Sequence, residues 1–263
     1  MRDSFCARNT CGPSGTLHGS IEPLTVGNSA KLYCLRWIEK FVVAKPGETT
    51  ILDLGCGEAL NFVKLLKLYP QIRYVGIEPS KQSCLQAQTY LGGLKATVVN
   101  CYAYDIHKTL QEEFDLVVSF SVLEHVFRRM DYLRSARECL KESGYFLTNY
   151  DAGHFLSPTI TTRLKDALRF ILARLGAEQY YQSFVKEPDF LSMIDEVGFR
   201  IIEAQFFNAH SLKGIYKVVP ESRRFDYMDQ WLEFELGLNE LGIGYTDSLA
   251  SLFGTRNFIL AHK

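Results

Sequence analysis

The sequence lacks a close cysteine pair, a long apolar run and an excess of charge of either sign, and each absence removes a class of protein. Its 7 cysteines, at Cys6, Cys11, Cys34, Cys56, Cys84, Cys101 and Cys139, are odd in number and scattered. That argues against both a disulfide framework and a zinc knuckle. No segment approaches the roughly 20 apolar residues of a membrane span, and the opening MRDSFCARNTCGPSG holds no apolar stretch of signal-peptide length. We therefore expect a protein of the reducing cytoplasm with no membrane partner. With 29 basic residues against 30 acidic ones and a formal net charge of -1, no global field draws the chain to phosphate backbones. No nucleic-acid partner is expected, and a basic pair such as Arg128 with Arg129 reads as the solvated face of a helix. Internal repeats and low-complexity tracts are also missing.

What is present is a chain of 263 residues, 47% of them hydrophobic, enough to bury one large core. Residues 1–29, rich in Gly, Ser, Pro and Thr, read as a flexible arm. Residues 30–43 carry Leu32, Leu35, Trp37, Ile38, Phe41 and Val42 at helical spacing, and Pro46 with Gly47 ends that helix. Alternation then begins. Strands are expected over 50–54, 73–77, 95–101 and 114–120, with helices after the first two, and a helix over 131–142 burying Leu133, Ala136 and Leu140 precedes a fifth strand from Gly144. Strands alternating with helices at this spacing give right-handed crossovers and a parallel sheet covered on both faces. The fold class is a doubly wound α/β domain.

The pattern changes after the fifth strand. Residues 161–175 form a strongly amphipathic helix with Leu164, Ala167, Leu168, Ile171, Leu172 and Leu175 on one stripe. A further helix over 187–197 stops at Gly198, and strands follow over 199–206 and 257–262. Between those strands lies an insertion, 208–255, carrying Tyr216, Phe225, Tyr227, Trp231, Phe234, Tyr245 and Phe253. The stretches 153–186 and 208–255 are candidate lid elements over the crevice, although most of these aromatics also suit the insertion's own core.

The most informative stretch is ILDLGCGEALN, residues 51–61. An apolar strand, an acid and a Gly-Cys-Gly turn lead into a helix, and glycine there lets the backbone approach a ligand closely. A dinucleotide loop needs a third glycine at position 60 and a helix N-terminus free for a pyrophosphate. Here Leu60 holds that position and Glu58 stands where the pyrophosphate would lie, a charge that repels phosphate but tolerates a sulfonium cation. Asp53 either organises the turn and accepts from a cofactor amino group or caps the helix. Glu78 falls about 20 residues after the glycines, at the tip of the second strand, where a ribose diol is hydrogen-bonded.

Together with VGIEPS, the AYD of residues 103–105, FDLVVSFSVLEHV and the terminal RNFILAHK, this stretch resembles the class I S-adenosylmethionine-dependent methyltransferases. The likeness is close over residues 51–152 and looser over the last two strands. It implies a seven-stranded Rossmann-like sheet of order 3-2-1-4-5-7-6 with the last strand antiparallel, S-adenosyl-L-methionine as cofactor and S-adenosyl-L-homocysteine as product. It also implies that Asp53, Gly55, Cys56 and Gly57 line the methionine part, Glu78 and Pro79 the ribose, and Ala103, Tyr104 and Asp105 the adenine. Ser119 and Phe120 would close the pocket beside the sulfonium, and Tyr33, with Arg36, would cover the carboxylate unless it only packs. Ala59 departs from the family's usual third glycine.

For the acceptor, the turn Ser119-Phe120-Ser121-Val122 is not the Asn-Pro-Pro-aromatic turn of enzymes that methylate exocyclic amines. No cysteine suited to a cytosine-C5 enzyme lies between Cys101 and Cys139, and no metal is expected because Ser121 replaces the first Glu of a Glu-x-x-Glu-His motif. His125 and His154 are the candidate general bases, since imidazole titrates near neutrality. Glu124 and His125 equally suit a helix start. The expected function is methyl transfer to an oxygen or nitrogen of a small or medium organic acceptor. An NAD-dependent oxidoreductase, a non-catalytic cofactor-binding protein and a methyltransferase of RNA or protein are the alternatives.

Overall fold

The computed structural model describes residues 28–151, 160–178, 181–242 and 252–263. The expected N-terminal arm and His154 lie outside the described residues. Chain order is α1 (Ser29–Ala44), β1 (Thr49–Leu54), α2 (Leu60–Leu68), β2 (Ile72–Ile77), α3 (Lys81–Tyr90), β3 (Ala96–Val99), α4 (Ile106–Leu110), β4 (Phe114–Phe120), α5 (Arg129–Glu138) and β5 (Leu140–Asp151). There follow α6 (Ile160–Arg174), α7 (Glu187–Val197), β6 (Phe199–Ala209), α8 (His210–Tyr216), α9 (Arg224–Glu240) and β7 (Phe253–His262). The sheet has the expected order, β3-β2-β1-β4-β5-β7-β6, and β7 runs antiparallel to both neighbours.

All six residues of β1 and all seven of β4 are buried, as a central parallel strand covered by helices on both faces requires. Side chains alternate between the faces. Ile51, Leu116 and Val118 join α1, α2 and α3 in one core cluster, whereas Leu52, Leu54 and Val117 face α5 and α7 in the other. The carboxyl ends of β1, β2 and β4 therefore converge on one edge, where the loops meet.

Three expectations need correction. The helix expected over 131–142 ends at Glu138, and Leu140 opens β5 opposite Phe114 of β4. The Phe114 amide donates to the Cys139 carbonyl at 2.8 Å, so strand pairing competes successfully for this apolar position. The apolar stripe of the helix expected over 161–175, which is α6, is not covered: Leu168, Ile171 and Leu175 are 57%, 54% and 79% exposed. The helix instead buries Ala173 and sets Phe170 edge-on to Phe127. Finally, β6 and β7 extend into the insertion, whose aromatics Tyr216, Tyr227 and Trp231 cluster together and pack into the core beside α1.

Buried polar links hold α9 there. Arg36 of α1 pairs with Asp229, and Glu235, fully buried, accepts from the Ser29 hydroxyl and from the amides of Asn208 and Ala209. A buried carboxylate needs such partners to offset its desolvation. Arg36 is thus committed to α9 and not to a cofactor. Among the described residues, no helix is long and apolar enough to cross a membrane.

Candidate functional site

The turn after β1 is fixed from below by β2. The amides of Gly55 and Cys56 both donate to the Ile77 carbonyl, at 2.8 and 3.0 Å. Gly55 and Gly57 adopt φ of +80° and +56°, where a Cβ is disfavoured. A Cβ on Gly55 would lie 2.7 Å from Val122, while one on Gly57 would meet nothing within 4 Å. The Gly57 backbone therefore borders open space. The Cys56 side chain turns away from it: a Cβ on Gly76 would lie 2.8 Å from its sulfur, so Cys56 packs under the turn against β2.

Glu78 is locked at the tip of β2. One carboxylate oxygen accepts from the Gly57 amide at 2.9 Å and the other from the Ser80 amide at 2.7 Å. Asn100 grips the Glu78 carbonyl at 2.8 Å. Asp53 is 3% exposed and accepts from the Tyr74 hydroxyl at 2.7 Å. Burial pushes its carboxyl up to about 7, opposed by the Tyr74 hydrogen bond and the Lys31 charge.

Beyond the turn opens a cleft at the carboxyl ends of the strands, where ligands bind in open parallel sheets. Of the residues expected at the site, Gly55, Pro79, Ala103, Tyr104 and His125 line it. Glu78 stands beside them through its neighbours Ile77 and Pro79. The Asp105 backbone completes a 3-10 turn with Ala103 and Tyr104; its side chain lies outside the described residues. The cleft also takes Tyr102, Val122, Val126, Tyr132 and Glu178, none of which the sequence singled out.

Ser119 and Phe120 lie behind this lining. The Ser119 hydroxyl meets the Tyr132 hydroxyl at 2.9 Å, and Tyr132 in turn donates to the Leu54 carbonyl at 3.0 Å. Phe120 stacks on Phe62. Tyr33 is a packing residue, its hydroxyl donating to Glu203 of β6 and its ring set against Phe207. Arg128 and Arg129 are not merely solvated: Arg128 pairs with Glu178 at 3.4 Å, and Arg129 donates to the Leu123 carbonyl at 3.1 Å and to Ser183.

After β4, a 3-10 turn carries Leu123, Glu124 and His125. His125 is exposed at the cleft. Glu124 is 3% exposed, with one oxygen 3.4 Å from the Asp151 amide and the other without a hydrogen-bond partner among the described residues. Burial pushes its carboxyl up to about 7. Among the described residues, no group of three His, Cys, Asp or Glu side chains is placed to hold a metal ion.

The sheet order, the glycine turn and the Glu78 latch meet in one stretch, and residues 52–146 match the methyltransferase domain family. That segment is similar to methyltransferase domains, and the sheet around it has the class I methyltransferase fold. The ubiquinone biosynthesis O-methyltransferase of Aliivibrio fischeri strain MJ11 is 23% identical over 160 residues, covering 56% of this chain and 62% of that protein. That of Bradyrhizobium diazoefficiens is 27% identical over 171 residues, covering 64% and 60%. The chain thus spans about six-tenths of the length of these curated relatives. Among solved structures, an O-methyltransferase of a trans-AT PKS multienzyme of Brevibacillus brevis, in complex with S-adenosyl-L-homocysteine, superposes with a TM-score of 0.54 at 14% identity, covering 88% of this chain and 74% of that one. A SAM-dependent methyltransferase from Archaeoglobus fulgidus gives 0.52 at 16%, covering 88% and 93%. These likenesses establish the shared fold.

Proposed function

We propose that this protein transfers a methyl group from S-adenosylmethionine to an oxygen or nitrogen of a small or medium organic acceptor and releases S-adenosylhomocysteine. The observation that carries the reading is Glu78, held by two backbone amides at the strand tip beside the cleft. Both oxygens are oriented, and each keeps acceptor capacity for the two hydroxyls of a ribose. The open space over Gly57 admits the cofactor's backbone-hugging portion, and the Ala103-Tyr104 turn offers an apolar flank for a purine. When bound, the cofactor supplies a methyl group already activated by a positively charged sulfur.

The chain's own task is mainly to position. Gly55, Gly57 and Glu78 fix the cofactor, and Val122, Val126 and Tyr132 exclude water from the cleft wall. Holding acceptor and methyl in near-attack geometry is worth about 7 to 11 kcal/mol. His125, exposed at the cleft, is the described candidate to take a proton from the acceptor, a step worth about 10²- to 10⁴-fold. Asp53, buried beneath the turn with its carboxyl near 7, is the residue the resemblance assigns to the methionine end. O-methyl transfer, which the relatives' names state of those proteins, favours oxygen as the acceptor atom. A cytoplasmic setting agrees with five free thiols among the described cysteines.

The test is calorimetric titration of the purified protein with S-adenosylmethionine, S-adenosylhomocysteine and NAD. Binding of both sulfur compounds and not of NAD is expected. NAD binding, or silence toward all three from folded protein, overturns the reading.

A further inference from the structure

The lining of the cleft has an unequal origin. Its other residues come from the carboxyl ends of β1 to β4 and from α5, whereas Glu178 arrives from beyond β5, after α6. The family-matched segment ends at residue 146, so Glu178 lies outside it.

Its contacts form a clasp. The Tyr104 hydroxyl donates to one Glu178 oxygen at 2.6 Å. The Arg128 guanidinium reaches the other oxygen at 3.4 Å and also lies 3.9 Å from the centre of the Tyr104 ring. Tyr102 stacks parallel on Tyr104 with ring centres 5.7 Å apart. Tyr104 is therefore gripped at its hydroxyl and over its ring. The Glu178 side chain is only 16% exposed against 46% for Arg128. The hydroxyl-carboxylate bond is thus shielded and strong, while the ion pair is wetter and weaker.

The same segment is stitched down once more behind the cleft. Arg129 donates to the Ser183 carbonyl at 3.0 Å and to its hydroxyl at 2.7 Å, and the Ser183 amide donates to the Glu124 carbonyl at 2.8 Å. Consecutive arginines thus bind two points of one connection to the turn after β4. The Ser183 attachment engages the backbone, through the Ser183 amide and carbonyl, as well as the Ser183 hydroxyl. The Glu178 attachment uses side chains alone, two of which, Tyr104 and Glu178, line the cleft, so it opens without disturbing the strand ends.

We propose that Glu178 is a cofactor-retaining residue: its carboxylate clasps Tyr104 and Arg128 across the adenosine end of the cleft, and bound nucleoside leaves only when that clasp breaks. The inference rests on the S-adenosylmethionine reading above. It assigns the residence time of cofactor and product to a residue outside the family-matched core.

The experiment is stopped-flow displacement of S-adenosylhomocysteine from the full chain, for the parent, Glu178→Ala, Glu178→Gln, Tyr104→Phe and the double variant Glu178→Ala with Tyr104→Phe. Loss of one charge-assisted hydrogen bond predicts a dissociation rate about 10-fold faster for Glu178→Ala, with association within about 2-fold of the parent. Glu178→Gln keeps an oxygen for Tyr104 but no charge for Arg128, and is expected in between. The double variant is expected no faster than the faster single one, because both remove the same bond. A dissociation rate for Glu178→Ala equal to the parent's, or additive effects in the double variant, overturns the clasp. A parent that binds no S-adenosylhomocysteine takes down the cofactor reading and the clasp with it, and shows this before any variant is made. Unchanged melting temperatures confirm that the variants report on the cleft and not on folding.

Discussion

The tips of β2 and β4 each bring a buried glutamate to the loop edge of the sheet, and the two carboxylates meet opposite surroundings. Glu78 has a backbone amide on each oxygen, from Gly57 and Ser80. Glu124 has one long bond of 3.4 Å to the Asp151 amide and an oxygen with no partner among the described residues. Amides aimed at a carboxylate stabilise its charged form, whereas burial without them favours the neutral acid. At the first tip both carboxylate oxygens are bound by backbone amides; the second keeps a proton near neutral pH, with Glu124 pushed up to about 7. The same sheet edge thus holds one carboxylate with both oxygens bound by amides and one titrating group.

The sharpest way to break this contrast is to remove the amide-bound carboxylate. Glu78→Ala leaves the Gly57 and Ser80 amides without their carboxylate and deletes the acceptor for the ribose. At about 1.5 to 3 kcal/mol for a hydrogen bond to a charged group, cofactor affinity is expected to fall about 10²-fold in calorimetry. Glu124→Ala, on the other tip, is expected to change that affinity by less than about 3-fold, since Glu124 is absent from the cleft lining. Equal losses from the two variants would refute the division of roles.

The titrating group is read through stability. Glu124 has an ordinary value near 4.5 and a folded value near 7, so the folded chain keeps a proton that the unfolded chain releases. Its contribution is full below about pH 4.5, declines as pH rises, and is gone above about pH 7. Glu124→Gln, which cannot ionise, should remove part of the fall in urea stability between pH 5 and pH 8, on the order of 2 kcal/mol at pH 8. Asp53, Glu203 and Glu235, raised in the same direction by burial, contribute to the rest of the fall. A variant whose stability falls with pH as steeply as the parent's would show that Glu124 is ionised throughout.

The two tips also differ in how far the sequence reveals them. Glu78 and the glycine turn are close in sequence, and one β-α-β crossover puts them side by side, so local pattern locates both. Tyr132 and Glu178 join the cleft only through tertiary packing, and nothing near them in the chain marks them. Tyr33 and Arg36 sit on a helix whose periodicity is plain, yet periodicity does not say which neighbour each residue meets. Glu203 and Asp229, distant in sequence, claim them. The α6 stripe carries the same ambiguity: Leu168, Ile171 and Leu175 align as an apolar face, but alignment does not turn that face toward the body. Leu140 suits a helix and a strand equally, and pairing with Phe114 decides.

The smallest expected effect lies in the turn that serves the Glu78 side. Ala59, where the family usually has glycine, begins α2 at φ +58° and ψ +17°, a left-handed conformation that costs an L residue about 1 to 2 kcal/mol. Ala59→Gly relieves that strain, but it raises the entropy of the unfolded chain by about 0.4 to 1 kcal/mol. It also deletes a buried methyl group, 1% exposed in the core beside α2, worth about 0.8 kcal/mol. These contributions nearly cancel, so urea unfolding of Ala59→Gly should stay within about 0.5 kcal/mol of the parent, well short of the roughly 1 kcal/mol that glycine costs in a helix interior. A loss above about 1 kcal/mol would mean that the methyl packs better than its strain costs. A comparable gain would mean that the turn beside Glu78 stores strain, and the affinity for S-adenosylhomocysteine measured on the same variant would show whether binding uses it.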